Sequence, residues 1–472
     1  MLNTFIVAER DYDIAMICRG NPSPMVYLFF GMAPSSATLQ HYLFIFHFSL
    51  MRFTTLDQWL DWQTTVHPRE IALGLTRVNT VAKRLNLLKP QFPIITVAGT
   101  NGNGSSTNLL DAILSAAGYR VGRYMSPHLL RYNERICIAG VEVSEAQLCQ
   151  AFDFIDKARE EIALTFFEFA TLAAMWVFQH SDIDLAVLEV GLGGRLDAVN
   201  CFDADIALVT AIDIDHVEWL GNDRESIGFE KAGIFRALRP AVCSDANPPM
   251  SLIKQAEQLQ TPLYYQGRDF SYIKNKDKTW AWQNPPFPSN TLSDNHLPQP
   301  SLLGDFQLQN AAGVLMVLEL LNQSLSISQA AVHEGLVKAN LPGRFQVFPG
   351  KITRIFDVAH NPLGARVLKA SLDQMPCQGE TYAVVGMLKE KDIAGFFKVM
   401  IESITHWHVA ALDTERTASA QCLVEHLTAL GATSIHSYSS IAAAYHHVEF
   451  EAQPGDRIVV CGSFYTVKIQ GL

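Results

Sequence analysis

The sequence predicts an α/β protein in which a doubly wound, P-loop-containing domain is followed by a smaller, Rossmann-like α/β domain. Three observations predict it: short apolar runs rich in Val, Ile and Leu, helical patterns between these runs, and a Gly-rich turn after one of them. Such apolar runs are typical of parallel strands that helices cover on both faces. Their alternation with helices favours a doubly wound fold.

The first domain is predicted at residues 51–340 from its strands and helices. Strands are predicted at 94–96, 185–190, 206–211 and 241–243, and helices at 107–117, 145–162, 167–178, 225–237, 308–322 and 327–339. Residues 266–300 contain many prolines and polar residues, which predict short strands and loops.

The second domain is predicted at residues 341–472. The turn Leu341-Pro342-Gly343-Arg344 separates it from the first domain, and strands are predicted at 352–358, 381–385, 408–412 and 457–461. Helical patterns lie between these strands, so this part also predicts an α/β fold.

The Gly-rich turn is the most informative segment for function. It follows the strand at 94–96 and leads into a helix, so its backbone N–H groups and the positive end of the helix dipole face one point, as in phosphate-binding loops. The usual Walker pattern also contains a lysine, and Asn103 stands in its place. Simple turn chemistry is the alternative. The residues expected to bind phosphate are Gly99, Thr100, Asn101, Gly102, Asn103, Gly104 and Ser105.

Composition limits the class of protein and of partner. A chain of 472 residues with 49% hydrophobic residues predicts two or three globular domains. The net charge of −11 argues against nucleic-acid binding and favours small-molecule partners. The eight cysteines include no C-x-x-C pair, which is typical of reduced thiols in a cytoplasmic protein.

Residues 1–50 are expected to be a leader outside the fold. No Lys, Arg, Asp or Glu lies between Arg19 and Arg52, but Pro34 and several polar residues interrupt this stretch. It therefore lacks the continuous apolar run of a membrane span, and it does not start like a secretory signal. We expect no membrane association, although a genuine anchor is the alternative. An amphipathic helix pattern follows Met51 directly.

Seven ordered motifs between residues 97 and 362 resemble one enzyme family. They are Val97-Ala98-Gly99-Thr100-Asn101-Gly102, Ser126-Pro127-His128-Leu129, the run from Leu188 to Asp197, Asp215-His216, Glu230-Lys231-Ala232-Gly233-Ile234, Leu341-Pro342-Gly343-Arg344-Phe345 and the run from Phe356 to Pro362. Together they resemble the dihydrofolate synthase/folylpolyglutamate synthases of the Mur ligase superfamily. The resemblance extends over residues 51–465.

The resemblance implies an ATP-dependent ligase of folate biosynthesis whose first domain is an ATPase domain. ATP would phosphorylate the carboxylate of a pterin acid, and the amine of L-glutamate would attack the acyl phosphate. Such a reaction joins two anions, so it needs cations and oriented donors, and Mg²⁺ is the natural choice. We expect a cytoplasmic monomer whose partners are ATP, the pterin acid and L-glutamate.

The resemblance also implies the roles of individual residues. Mg²⁺ ligands would be Ser126, Glu189 and His216, although a turn residue, a structural carboxylate and a helix cap are the respective alternatives. A buried carboxylate such as Glu189 is costly without a cation or donors, which favours the metal site. Lys231 would be carbamylated, although an ordinary helix lysine is solvated. ATP would be bound by Asn310, Arg344 and Asp357, with His360 nearby, and the catalytic set would be Lys231, His216, Asp357 and His360.

The pterin acid is assigned to two segments by the same resemblance. They contain Thr165, Phe166, Phe167 and Glu168, and Leu196, Asp197 and Ala198. An aromatic pair beside a carboxylate suits a flat heterocycle with amino groups, but aromatic residues at a helix start are also typical of core packing.

The sequence leaves two other functions open. A degenerate family member would bind nucleotide or folate with weak or no turnover, and Asn103 is the feature that favours it. A nicotinamide-dependent oxidoreductase would need a G-x-G-x-x-G pattern, and the spacing of Gly99, Gly102 and Gly104 differs from it.

Overall fold

The structure is a computed structural model that describes residues 51–284, 292–302, 304–322 and 324–468, together with four strands within the first fifty residues. Those strands are β1 (Asn3–Glu9), β2 (Tyr12–Cys18), β3 (Val26–Phe29) and β4 (Phe44–His47). β1 pairs with β2 and β3 with β4, both antiparallel. Among the strands described, none of these four joins either large sheet. Most of the expected leader lies outside the described residues, so its separation from the fold stays a prediction.

The elements of the first domain follow in chain order. They are α1 (Leu56–Val66), α2 (Thr76–Arg84), β5 (Ile94–Ala98), α3 (Asn103–Ala116), β6 (Val121–Tyr124), β7 (Ile136–Ile138), β8 (Val141–Glu142), α4 (Glu145–Arg159), α5 (Phe166–Gln179), β9 (Leu185–Glu189), β10 (Ile206–Val209), α6 (Val217–Leu220), α7 (Arg224–Ala232), β11 (Ala241–Cys243), α8 (Met250–Leu259), β12 (Leu263–Tyr265), β13 (Ser271–Lys274), β14 (Trp280–Gln283), β15 (Asp294–Leu297), α9 (Phe306–Leu321) and α10 (Gln329–Lys338). Short 3-10 helices lie at Tyr132–Arg135 and Ala198–Cys201.

An eight-stranded sheet forms the centre of this domain, in the order β12-β11-β10-β5-β9-β6-β7-β8. The strands from β12 to β6 are parallel, and β7 and β8 are antiparallel additions at one edge. One face packs against the cluster that contains Trp59 and Phe152, and the other against the cluster that contains Leu110 and Leu315. The doubly wound α/β fold is therefore confirmed.

Residues 266–300 include three antiparallel strands, β13, β14 and β15, as expected for that stretch. Trp280 and Trp282 on β14 are fully buried, and the Trp282 indole N–H donates to the Ala312 carbonyl at 3.1 Å. This small sheet therefore packs on α9 and completes the first domain.

The second domain contains a six-stranded sheet, in the order β16-β17-β21-β18-β19-β20. Its elements are β16 (Gln346–Phe348), β17 (Thr353–Phe356), α11 (Pro362–Asp373), β18 (Thr381–Val385), α12 (Ile393–Met400), β19 (His406–Ala410), α13 (Ala420–Ala429), β20 (Ile435–Tyr438), α14 (Ile441–Glu451), β21 (Arg457–Cys461) and α15 (Phe464–Val467), with a 3-10 turn at Ile401–Ser403. All strands but β16 are parallel. Separate apolar clusters cover its two faces, so the expected α/β domain is present.

Some predicted boundaries were wrong for identifiable reasons. The helix after the Gly-rich loop begins at Asn103 instead of residue 107, because the last residues of the loop form the first turn of the helix. Helix α7 ends at Ala232 instead of residue 237. Gly233 follows it, and a Cβ there would lie 2.4 Å from the Arg195 Cα, so the chain must leave the helix where it meets residue 195. In the described part of the chain, no helix has the length and apolar character to cross a membrane.

Candidate active site

A cavity of about 1050 Å³ lies between the two domains, beside the carboxyl ends of β5 and β9. Its wall includes the Gly-rich loop, the start of α5 and the turn at Arg344, together with Lys391 from the second domain. Open α/β sheets bind their ligands at this edge. The cavity therefore brings most of the predicted site residues together.

The Gly-rich loop has the geometry of a phosphate cradle. Gly102 has a φ of +99° and caps α3, and a Cβ on Gly99 would lie 1.8 Å from the Thr210 hydroxyl. Both positions therefore require glycine. The N–H groups in the first turn of a helix have no intrahelical acceptor, so those at the start of α3 are available to an anion.

Both polar atoms of the Asn103 side chain are hydrogen-bonded within the protein. Its Nδ2 donates to the Gly99 carbonyl at 3.0 Å, and its Oδ1 accepts from the Thr210 hydroxyl at 2.8 Å. The amide therefore ties the loop to the end of β10. It contributes no charge where a P-loop lysine would contribute one.

Arg344 supplies a cation at the same loop. A Cβ on Gly104 would lie 3.5 Å from an Arg344 Nη and 3.6 Å from a Glu189 carboxylate oxygen. Burial lowers the pKa of Arg344, while Asp357 and Glu189 oppose that shift. The guanidinium and the carboxylate thus both approach the start of α3.

The three predicted metal ligands, Ser126, Glu189 and His216, all line the cavity. Glu189 ends β9, is 5% exposed, and accepts from the Ser126 N–H at 2.9 Å. Burial raises the pKa of Glu189 to about 7, while the Ser126 N–H and Arg344 act in the opposite direction. Burial and Lys391 lower the pKa of His216 to about 4, so its imidazole is neutral at pH 7, as metal binding requires.

These ligands do not form a ready-made metal cage. Within the described residues, no three His, Cys, Asp or Glu side chains form a group that could hold a metal ion. Ser126, Glu189 and His216 would therefore need water and phosphate oxygens to complete a coordination shell. Mg²⁺ binds in this way because it keeps several of its waters.

Asp215 connects the metal-site loop to the second domain. Its carboxylate accepts from Lys391 Nζ at 2.8 Å and from Asn361 Nδ2 at 2.7 Å, and Asn361 also pairs with Asn101 of the phosphate loop. Burial opposes ionisation, but His360 and Lys391 hold the pKa of Asp215 well below its usual range. Asn361 and Lys391 are not among the predicted site residues, because the Asn101 and Asp215 side chains that they contact are far away in the chain. The position of Lys391, in the loop after β18, was the available signal.

Lys231 is not a solvated lysine. It is 2% exposed, and no carboxylate of the described residues lies within 4 Å of its Nζ. Burial lowers its pKa to about 8, while Asp215 and Asp197 act in the opposite direction. The alternative that Lys231 is an ordinary surface lysine was therefore wrong.

The two segments assigned to the pterin acid both line the cavity. Thr165 and Glu168 form a capping box at the start of α5, and Arg77 pairs with Glu168 at 3.1 Å. Asp197 accepts from the Leu192 and Val199 N–H groups, each at 2.9 Å. Burial raises the pKa of Asp197 to about 7. The segments thus have structural roles as well as access to the cavity.

Phe166 and Phe167 form part of the cavity wall together with Leu196 and Ala198. A Cβ on Gly191 would lie 2.5 Å from the Phe167 ring, so this ring packs directly on the backbone after β9. Both rings are only half-buried. Their open faces leave room for a flat ligand.

Only some of the residues assigned to ATP lie close to the Gly-rich loop. Asn310 approaches Gly102, where a Cβ would lie 2.4 Å from its Oδ1. Asp357 accepts from the Phe345 and Ala359 N–H groups at 2.7 and 2.8 Å, and burial raises its pKa. His360 lines the cavity, whereas Ser105, Lys231, Asn310 and Asp357 are buried behind its wall.

Comparisons with known proteins give one family. The Mur ligase middle domain matches residues 97–318, and the Mur ligase glutamate ligase domain matches residues 343–464. The dihydrofolate synthase/folylpolyglutamate synthase of Escherichia coli K12 is 42% identical over 412 residues, which are 87% of this chain and 94% of that protein.

Solved structures agree with these matches. The E. coli FolC complex with DHPP and ADP has a TM-score of 0.82 at 42% identity, covering 88% of this chain and 96% of that one. A bifunctional folylpolyglutamate synthase/dihydrofolate synthase with Mn, AMPPNP and L-glutamate bound has a TM-score of 0.81 at 44% identity, covering 88% and 97%.

Proposed function

We propose that this chain uses ATP to attach L-glutamate to folate acids. The chain belongs to the Mur ligase family, and within it to the dihydrofolate synthase/folylpolyglutamate synthases. The acids are dihydropteroate, which gives dihydrofolate, and tetrahydrofolates, which give polyglutamates. The observation that carries the proposal is the cavity itself. The phosphate loop, a buried carboxylate and an aromatic wall line it from the first domain, and Lys391 closes it from the second.

The reaction requires two anions to meet. A carboxylate oxygen of the acid attacks the γ-phosphorus of ATP, which forms an acyl phosphate and releases ADP. The free amine of L-glutamate then attacks the acyl carbon, so that an amide forms and phosphate leaves with a proton lost from nitrogen. Preorganised donors and cations stabilise the charge that develops in such steps.

The chain provides these groups at the phosphate loop. The N–H groups that begin α3 would bind the phosphates, and Arg344 would stabilise charge on the transferred phosphoryl group. Asn310 and Asp357 would hold the nucleotide, with His360 nearby. The Asn103 amide would keep the loop in shape without contributing charge.

The residues at the carboxyl end of β9 fit a divalent cation. One Glu189 oxygen accepts from the Ser126 N–H, and no hydrogen bond to its other oxygen occurs among the described residues. Ser126, Glu189 and neutral His216 would hold Mg²⁺, which when bound would neutralise phosphate charge. A cation would also keep Glu189 ionised despite its burial.

We also propose that Lys231 is carbamylated. Its neutral amine would attack CO₂, which forms an N–C bond and releases one proton. The lowered pKa and the deep burial of Lys231 support this, because both favour the neutral amine that reacts. The product is an anion that could hold cations or orient water near Asp215.

The acid substrate would occupy the aromatic end of the cavity. Phe166 and Phe167 would contact the flat heterocycle, and Asp197 and Glu168 would face its amino groups, with Thr165, Leu196 and Ala198 completing the wall. The small-molecule partners are therefore ATP, the pterin acid and L-glutamate. A cytoplasmic monomer that binds no nucleic acid is part of this proposal.

The degenerate alternative gains no support from relatives that are described as synthases. Phosphate release, measured with dihydropteroate or a tetrahydrofolate plus ATP, Mg²⁺ and L-glutamate, tests the proposal. We expect release that depends on both the acid and L-glutamate, together with a product heavier by one glutamate residue. Phosphate release that depends on neither the acid nor L-glutamate would overturn the proposal.

A further inference from the structure

Arg135 is a buried cation in the cavity wall to which the proposed function assigns no role. It ends the 3-10 helix Tyr132–Arg135, is 7% exposed, and lines the cavity together with Ser126 and Phe166. Its Nε donates to His128 Nδ1 at 2.8 Å. Its guanidinium lies 5.3 Å from the centre of the Tyr132 ring and 5.5 Å from that of Phe166.

The described residues offer this guanidinium no counter-ion. No carboxylate among them lies within 4 Å of it, whereas Arg416, which also lines the cavity, pairs with Glu70 and Glu390. The adjacent carboxylate of Glu134 is already engaged, because it accepts from the N–H groups of residues 129, 130 and 131 at 2.6 to 2.8 Å.

His128 orients Arg135 without cancelling its charge. The His128 imidazole accepts the Nε hydrogen bond through its Nδ1 and has no negative charge that could pair with the guanidinium. That bond uses one edge of the guanidinium. The two terminal nitrogens have no hydrogen bond to any described residue and remain for a ligand.

The position of Arg135 indicates which part of the ligand it would contact. Its ring contact with Phe166 places it at the aromatic wall, and its charge also lowers the pKa of Glu189. It therefore lies between the proposed heterocycle wall and the proposed phosphoryl-transfer end. A buried cation without a counter-ion is costly, and a bidentate carboxylate is the ligand that best matches a guanidinium.

We propose that Arg135 binds the reacting carboxylate of the acid substrate, and that His128 is the positioning residue that aims it. The inference rests on the proposed function, since it assumes an acid that binds along Phe166. Arg135 would thus select the acid over its neutral amide. The same cation would later face the acyl phosphate.

Binding of pteroate and of its neutral carboxamide analogue, measured by titration calorimetry with AMPPNP and Mg²⁺ present, tests this. A charged hydrogen-bonded pair is worth about 1.5 to 3 kcal/mol, so the wild type should prefer the acid by about 10- to 100-fold. Arg135→Gln should reduce that preference to below about threefold, with AMPPNP affinity unchanged. Arg135→Lys should retain part of it, and His128→Phe should weaken acid binding more than amide binding.

Arg131→Gln is the matched control, because Arg131 lies on the same segment but its side chain is 72% exposed. This variant should keep the wild-type preference. An acid preference that survives in both Arg135→Gln and Arg135→Lys would overturn the role of Arg135. A wild type that binds AMPPNP but neither the acid nor the amide would instead overturn the proposed function. If Arg135→Gln does not fold, the ratio of acid affinity to amide affinity in Arg135→Lys and His128→Phe tests the proposal instead.

Discussion

Replacing Asn103 by lysine should restore a cation to the phosphate loop and raise turnover. In the structure the Asn103 amide makes two hydrogen bonds, to the Gly99 carbonyl and to the Thr210 hydroxyl. Asn103→Lys removes both and adds an ammonium group at the start of α3. The variant therefore loses two hydrogen bonds that anchor the loop and gains a positive charge.

The two effects have different sizes and different readouts. Losing two hydrogen bonds at about 1 kcal/mol each should lower the free energy of unfolding by about 2 kcal/mol. One preorganised contact to a transition state is worth about 3 to 4 kcal/mol. Because Arg344 already approaches the same loop, we expect only part of that gain, at least about tenfold in kcat. ATP affinity should change less, since the loop N–H groups bind the phosphates in both proteins.

Steady-state ligase kinetics, ATP binding and urea unfolding measure these three quantities. Asn103→Met is the matched control, because it also removes the amide and has a long side chain but no charge. It should show the stability loss without the gain in kcat. Equal kcat for wild type and Asn103→Lys would mean that the loop needs no further cation, and the reasoning would be refuted.

Three further predictions test other parts of the molecule. Glu189→Gln keeps the shape of the side chain but removes its charge, so Mg²⁺-dependent turnover should fall at least about 100-fold with an unchanged circular dichroism spectrum; unchanged Mg²⁺ dependence would exclude Glu189 from the metal site. Burial, His436 and His447 lower the pKa of buried His408 to about 3, from an ordinary value of 6.5, so the stability contributed by its neutral form is complete above pH 6.5 and is lost as the pH falls toward 3. Between pH 7 and pH 5 this loss of stability is about 2 kcal/mol. When urea unfolding is measured at both pH values, the free energy of unfolding of His408→Phe should therefore fall by about 2 kcal/mol less than that of the wild type. A chain that begins at Met51 should keep its circular dichroism spectrum and its ligase activity, and loss of either would show that residues 1–50 belong to the fold.

The sequence was sufficient for features that depend on local pattern. The β5 strand, the Gly-rich loop and α3 are consecutive in the chain, so their composition predicted the strand-loop-helix order, while phosphate binding by the loop stays a prediction. The boundary of α7 was not predictable in this way. It depends on the approach of Gly233 to Arg195, which a local pattern does not contain. Helix ends that are set by tertiary contacts require the structure.

The same limit applies to the site. Glu189 and His216 were assigned through the family resemblance, and their role as metal ligands stays a prediction; Glu189 ends β9, and His216 lies in the segment after β10. Arg135 could not be identified, because the carboxylate next to it in the chain, that of Glu134, accepts from the N–H groups of residues 129, 130 and 131 and leaves Arg135 unpaired. A charge pattern in the sequence would have paired the two as neighbours and treated Arg135 as satisfied.

The contacts of Asp215 indicate why this site needs both domains. The Lys391 side chain is only 5% exposed and bonds to Asp215, and Asn361 bonds to Asp215 and to the phosphate loop. Two side chains of the second domain therefore determine the position of a first-domain carboxylate. His216 follows Asp215 directly and has a φ of +51°, a conformation that a non-glycine residue adopts at some cost. The second domain therefore stabilises a strained segment that carries a proposed metal ligand. Separation of the domains would release Asp215 and with it the orientation of His216, so the cation site and the closed arrangement of the domains should form together.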